Sequence, residues 1–321
     1  MAHFDLPLDQ LRAYRSSATA PADFDDFWAR TLAESRAAGW EPRLERVDAG
    51  LELVDVHDVT FAGFGGDAIR AWWQAPADRA PKAVVVELVG YSGGRGFAHD
   101  TGPYPLAGYA RLVVDTRGQG WSHGSAGGAT ADPHGTGSQA PGVMTRGIGS
   151  RETYYYRRAY TDSALAVDVA RKLAPGVAVF VAGTSQGGGL AIAAAALADD
   201  VAGALPDVPF LCDFPRATTL VDTMPYGEIR MYLAAHRDEV ESVYRTLSYF
   251  DGVGLAARAT APAVFSTALM DATCPPSTVF GAFNAWAGED KSIEVYPFNG
   301  HEGGTGYQRE AQLRWLRERV G

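Results

Sequence analysis

The pentapeptide Gly183-Thr184-Ser185-Gln186-Gly187 carries the strongest chemical signal in the chain. This G-x-S-x-G sits between an apolar run, 177–182 (VAVFVA), and an Ala-rich stretch, 186–197 (QGGGLAIAAAAL). That context predicts a strand, a sharp turn and a helix. The glycines bring no Cβ into the turn, so Ser185 would stand at its tip with the hydroxyl exposed. The first N–H groups of the new helix would point at the same place, where negative charge is stabilised.

A serine hydroxyl is a weak nucleophile without a base. On this kind of turn the partners follow in the order Ser, acid, His. Only His236 and His301 come after Ser185. His301 lies in Pro297-Phe298-Asn299-Gly300-His301-Glu302, just past the last apolar run. Loops at strand C-terminal ends are where an open α/β sheet builds its site. His236 reads as a surface residue within a helical segment. Asp271 follows the run 263–269 and is the favoured acid, with Asp222 and Asp251 as competitors. The chemistry would be acyl transfer, which needs N–H donors for an oxyanion. One is expected from Gln186, the residue after the nucleophile. The other is expected from Tyr91, in the loop Gly90-Tyr91-Ser92-Gly93-Gly94-Arg95-Gly96 that follows the run 84–89. That loop has no phosphate-binding spacing, and Asp132 with His134 do not make a metal site. No metal and no cofactor is expected.

These residues need strands and helices to bring them together. The runs 84–89, 112–114, 177–182 and 263–269, with a weaker one at 292–296, suit strands buried on both faces of a parallel sheet. Helical patterns at 158–173, 186–197, 278–287 and 307–320 alternate with them, which predicts right-handed crossovers and an α/β class. Ahead of them lie a helix at 21–38 and a hairpin formed by 51–61 and 69–74. Two stretches break the alternation: the glycine-rich 116–150 and the helical 214–258. The organisation expected is one domain over 1–321, with an N-terminal extension (1–50) and a helical insertion (214–258). Glycine is uneven: 16 of the 37 fall within 90–149, over twice an even share. That stretch must hold backbone close to something else. Tyr154-Tyr155-Tyr156 with Arg157 and Arg158 reads as packing plus a surface or interface patch, with a sugar platform as the rival. Arg117, with Gln119, reads as a tie between loops.

The net charge of -10 argues against nucleic acid as the main partner. No run approaches the roughly 18 apolar residues of a membrane-spanning helix, and residues 1–11 do not read as a secretory leader. A cytoplasmic location is expected. Cys212 and Cys274 lack zinc-like spacing and read as buried thiols rather than a disulfide.

Several motifs together resemble one family. They are the 90–96 loop, Asp115-Thr116-Arg117-Gly118-Gln119-Gly120, the segment 135–148 (GTGSQAPGVMTRGI) and the 154–158 run. The G-x-S-x-G, Asp207-Val208-Pro209-Phe210-Leu211-Cys212, the segment 271–280 (DATCPPSTVF) and His301-Glu302 complete the set. The sequence resembles the acetyl xylan esterase and cephalosporin C deacetylase family, carbohydrate esterase family seven, from about residue 24 to the C-terminus. The resemblance implies an α/β-hydrolase fold: a mostly parallel sheet flanked by helices. It implies a Ser185, Asp271, His301 triad with Tyr91 and Gln186 at the oxyanion hole. It also implies removal of acetyl groups from xylo-oligosaccharides and small esters such as cephalosporin C, by an intracellular hexamer with sites facing an internal cavity. Two positions depart from the family pattern: Val89, where His is usual, and 102–106 (GPYPL), where a Trp-containing segment is more frequent. Rival readings are a carboxylesterase of the same fold with another acyl or alcohol preference, and a catalytically silent oligomeric binding protein.

Overall fold

The computed structural model describes residues 3–122, 127–135 and 137–320, so residues 123–126 and Thr136 of the glycine-rich motifs lie outside the described residues. Nine strands form one sheet: β1 (Arg43–Val47), β2 (Val54–Ala62), β3 (Ala68–Pro76), β4 (Ala83–Leu88), β5 (Ala110–Val114), β6 (Ala178–Thr184), β7 (Gly203–Asp207), β8 (Ala263–Ala268) and β9 (Lys291–Tyr296). Their spatial order is β1-β2-β3-β5-β4-β6-β7-β8-β9. β1, β2 and β3 pair antiparallel, and β3 joins β5 antiparallel. From β5 to β9 every pairing is parallel.

The apolar runs are unbroken because both faces of these strands are covered. In β4, Val84, Val86 and Leu88 enter one core, while Ala83 and Val85 enter another on the opposite face. In β6 the split is Val179 and Val181 against Phe180 and Ala182. This is the two-residue period of a strand, with no polar side to spare.

The helices are α1 (Leu8–Ala13), α2 (Phe24–Ala37), α3 (Tyr155–Leu173), α4 (Gln186–Leu197), α5 (Phe214–Leu220), α6 (Tyr226–Ala235), α7 (Val240–Leu247), α8 (Gly252–Ala256), α9 (Pro276–Ala285) and α10 (Thr305–Val320). α3 and α4 contribute to the first core, and Trp315 and Leu316 of α10 close the second. α4 is apolar all round and buried from Gln186 to Ala195, as a helix packed on every side must be.

The sequence reading missed β1, β7 and α1. β1 is an exposed edge strand, and β7 (GALPD) has too few β-branched residues to signal itself. Residues 214–258 hold α5 to α8, between β7 and β8. The N-terminal segment packs on them: Trp28 Nε1 donates to Tyr249 O at 3.0 Å, and Phe27 meets Tyr249 and Phe250 edge-on.

Candidate active site

Ser185 is where β6 stops and α4 starts. Its φ of 59° is left-handed, a conformation a non-glycine residue holds only under constraint. The constraint is main-chain: Ser185 N donates to Asp207 O at 2.9 Å, and Ser185 O accepts from Phe210 N at 2.9 Å and Gly189 N at 3.1 Å. The flanking glycines are steric necessities. A Cβ at Gly183 would strike the Gly187 backbone, and one at Gly187 would strike the Leu88 carbonyl at the end of β4.

Asp271 follows β8 and is fully buried. Its Oδ1 accepts from Thr273 N (2.8 Å) and Cys274 N (2.9 Å), which fixes the carboxylate and leaves Oδ2 free. Oδ2 lies 2.9 Å from His301 Nδ1, and His301 Nε2 lies 2.9 Å from Ser185 Oγ. With Nδ1–H donated to the carboxylate, Nε2 is the basic nitrogen facing the hydroxyl. The acid and histidine loops are tied by Met270 N donating to Asn299 O at 3.1 Å. The competitors stand elsewhere. Asp251 caps α8 and accepts from Asp213 N and Phe214 N. Asp222 falls between α5 and α6, and His236 is the half-buried C-cap of α6, stacked on Tyr232.

Cys274 lies beside the triad, and burial pushes its thiol pKa well up. Among the described residues, Asp271, Cys274 and His301 place potential metal donors within 4.8 Å of one another. The Asp271–His301 hydrogen bond already engages two of the three.

The side expected to receive an oxyanion is built differently. Neither Tyr91 N–H nor Gln186 N–H donates to a protein acceptor among the described residues. Around them lies a lattice of side-chain bonds. Gln119 Oε1 accepts from Ser92 N at 2.7 Å, and Gln119 Nε2 donates to Gln186 Oε1 at 2.8 Å and to Tyr155 Oη at 2.9 Å. Tyr156 Oη donates to Gln186 Oε1 at 2.9 Å, and Tyr155 Oη donates to Arg117 O at 2.6 Å. Gln119 thus spans the loop of Tyr91 and the side chain of Gln186. Arg117 itself is buried and grips Asp162 with two bonds of 2.6 and 2.8 Å, reaching Asp67 at 2.8 Å. Asp132 is held by Arg158 at 2.9 and 2.8 Å, and His134 contacts Asp67.

The tyrosine run is packing, as one part of its sequence reading had it, and corrects the other part. Tyr154, Tyr155 and Tyr156 are each 0% exposed, and Arg157 and Arg158 are buried too, so they form neither a surface patch nor a sugar platform. Tyr155 and Tyr156 are internal props of the site, through Gln119 and Gln186. The sequence reading assigned no role to two further residues: Asp207, named only within a family motif, and Glu228. Asp207 holds Ser185 N through its carbonyl, while its half-buried carboxyl, pushed up in pKa by desolvation, accepts from Thr184 Oγ1 and Ser266 Oγ. Glu228 contacts the Tyr91 phenol at 2.6 Å. Nothing local in the sequence marks a helical Glu as buried.

Comparison with known proteins places this geometry in context. A family model described as acetyl xylan esterase matches residues 1–319. The structure of an acetyl xylan esterase from a Paenibacillus species superposes with a TM-score of 0.91 at 37% identity, covering 98% of this chain and all of that one. Acetyl xylan esterase 1 from a Thermoanaerobacterium species gives 0.89 at 33% identity, covering 98% and 99%. An acetyl esterase of Xylanibacter ruminicola is 29% identical over 181 residues, 56% of this chain and 40% of that longer protein. A Pyrococcus horikoshii acylaminoacyl peptidase, at 15% identity and TM-score 0.60, shares the fold alone.

Proposed function

The chain belongs to the acetyl xylan esterase family, and from that premise we propose that it deacetylates acetylated xylo-oligosaccharides and small esters such as cephalosporin C through Ser185, His301 and Asp271. The chain has the α/β-hydrolase fold and is a carboxylic ester hydrolase, and its family's chemistry is acetyl-ester hydrolysis. One observation carries the finer reading. Three side chains at the ends of β6, β8 and β9 form an unbroken Asp–His–Ser hydrogen-bond chain of 2.9 and 2.9 Å, and the N–H groups of Tyr91 and Gln186 donate to no protein acceptor among the described residues.

In this reading His301 Nε2 takes the Ser185 proton as Oγ attacks the ester carbonyl. The buried Asp271 carboxylate stabilises the imidazolium that forms. Tyr91 N–H and Gln186 N–H receive the developing oxyanion. The tetrahedral intermediate collapses, His301 protonates the departing alcohol, and acetyl stays on Ser185. Water then repeats the sequence and releases acetate. The residues act within one hydrolase domain that carries an extension (1–50) and an insertion (214–258).

We also propose a cytoplasmic homo-oligomer, a hexamer by family resemblance. Two buried thiols suit a reducing compartment, and the insertion exposes Met224, Met231 and Val240. A solution mass of 34.2 kDa, the monomer value, would contradict the oligomer.

The substrate reading is tested by an acyl-chain and leaving-group panel on purified protein. Acetyl esters should turn over faster than butyryl and octanoyl esters of the same alcohol, and acetylated xylo-oligosaccharide and cephalosporin C should both release acetate. A preference for the longer acyl chains would overturn it.

A further inference from the structure

Tyr91 sits between Gly90 and Ser92, which has a φ of 62°, in a turn closed by Gly93 N donating to Gly90 O at 3.0 Å. Its backbone neighbour Ser92 N is held by Gln119 from one side. The phenol is held from the other. Tyr91 Oη donates to Glu228 Oε1 at 2.6 Å and accepts from Val143 N at 2.7 Å, while Glu228 Oε2 accepts from Met144 N at 3.0 Å. Glu228 lies on α6, 137 residues along the chain, and is 4% exposed. Three distant segments therefore meet at one carboxylate: the oxyanion loop, residues 142–144 and the insertion.

The packing there leaves no slack. Gly142 has a φ of 99°, and a Cβ on it would strike both the Glu228 carboxylate and the Tyr91 phenol. Among the described residues no Arg, Lys or His shapes the Glu228 carboxyl; its burial goes uncompensated by any cation and pushes its pKa up to about 7. The Tyr154 phenol also faces it, and its hydroxyl is spent on Met144 O at 2.9 Å. An uncompensated buried carboxylate is costly for a fold. Both oxygens are nonetheless used as acceptors, and an amide would turn an N–H toward one of the two donors.

We propose that Glu228 is a positioning residue of the oxyanion hole: by anchoring the Tyr91 phenol it aims the Tyr91 N–H at the developing oxyanion. The inference rests on the assignment of Tyr91 and Ser185 made above. Glu228 touches no substrate. Its effect passes through the Tyr91 hydroxyl and is expressed in the transition state rather than in ground-state binding.

The test is a double-mutant cycle with Tyr91→Phe and Glu228→Gln, read on p-nitrophenyl acetate. Each single variant should lower kcat by about 10- to 100-fold, the cost of misplacing a reacting geometry by about 1 Å, with KM nearly unchanged. Affinity for methylboronic acid, whose adduct on serine is tetrahedral, should fall in step with kcat. The double variant should be no slower than the slower single one, because both changes cut the same link. A fluorophosphonate end-point, localised to Ser185 by mass spectrometry, separates the layers. No label on Ser185 in the wild-type protein overturns the assignment of the nucleophile and the inference with it. With stoichiometric labelling of all three variants, which also shows that they fold, an unchanged kcat, losses that multiply or a loss confined to KM overturns the role of Glu228 alone.

Discussion

The two halves of the site are held by different means. Ser185, Asp271 and His301 stand at the ends of β6, β8 and β9, where main-chain N–H groups of neighbouring strand ends and turns fix them: Ser185 N to Asp207 O, Thr273 N and Cys274 N to the Asp271 carboxylate, Met270 N to Asn299 O. The oxyanion side is held by side chains reaching across the fold: Gln119 to Ser92 and Gln186, Tyr155 to Arg117, Glu228 to Tyr91. The proposed acid, base and nucleophile borrow the rigidity of the sheet. The proposed oxyanion donor on the 90–96 loop is braced by side chains from elsewhere in the fold. The first half should therefore lose chemistry without losing stability, and the second should lose some of both.

The largest effect belongs to the sheet-anchored half. Asp271→Asn keeps the shape but presents an N–H where His301 needs an acceptor, and kcat should fall by about 10⁴-fold with KM little changed. Steady-state kinetics check it, and a loss of tenfold or less would mean that another carboxylate does the work. A smaller effect comes from the bracing. Gln119→Ala leaves Ser92 N–H and the Gln186 amide short of partners. It should cost about 10- to 100-fold in kcat and about 1–3 kcal/mol in stability. Denaturant unfolding alongside kinetics decides, and an unchanged stability would erase the contrast between the halves.

The smallest effect on catalysis lies where the insertion leaves the sheet, and the change expected there is in stability alone. Asp251 accepts from Asp213 N and Phe214 N, and burial raises its carboxyl from 3.8 to about 7. A carboxyl raised in the folded state contributes stability that is full below its unfolded value and lost as pH rises through its folded value. Wild-type stability should therefore decline between pH 4 and 7, at up to about 1.4 kcal/mol per pH unit from this group. Asp251→Asn should flatten that decline. Unfolding midpoints in urea across this range check it, and parallel curves would remove Asp251 from the account.

This contrast also explains what was legible in the sequence. The strand-end residues could be read because their signal is local: an apolar run, then a glycine, a turn residue or a histidine. Unbroken runs such as VAVFVA marked the doubly buried strands, whereas β7, with Gly, Ala, Leu, Pro and Asp, carried no such mark. The bracing residues are ordinary in their own neighbourhoods. Glu228 occupies the first turn of a helix, where an acid needs no special reason, and its partner is 137 residues away. The tyrosines at 154–156 looked amphipathic because a phenol can be wet or buried, and only the positions of Met144, Arg117 and Gln186 show where their hydroxyls go. The glycine excess in 90–149 follows the same logic. A Cβ at Gly120 or Gly128 would strike the backbone of the other's segment, and Gly142 is bounded by Tyr91 and Glu228. These close approaches connect segments that only the fold brings together.

The proposed mechanism turns on a covalent intermediate at one atom, Ser185 Oγ. Rapid acid quench of the enzyme mixed with p-nitrophenyl acetate, followed by peptide mapping, should find acetyl on Ser185 in the wild-type protein and none in Ser185→Ala. That variant's kcat should also be lower by about 10⁶-fold. An acetyl group on another residue, or a Ser185→Ala protein that still turns over at a comparable rate, would contradict it.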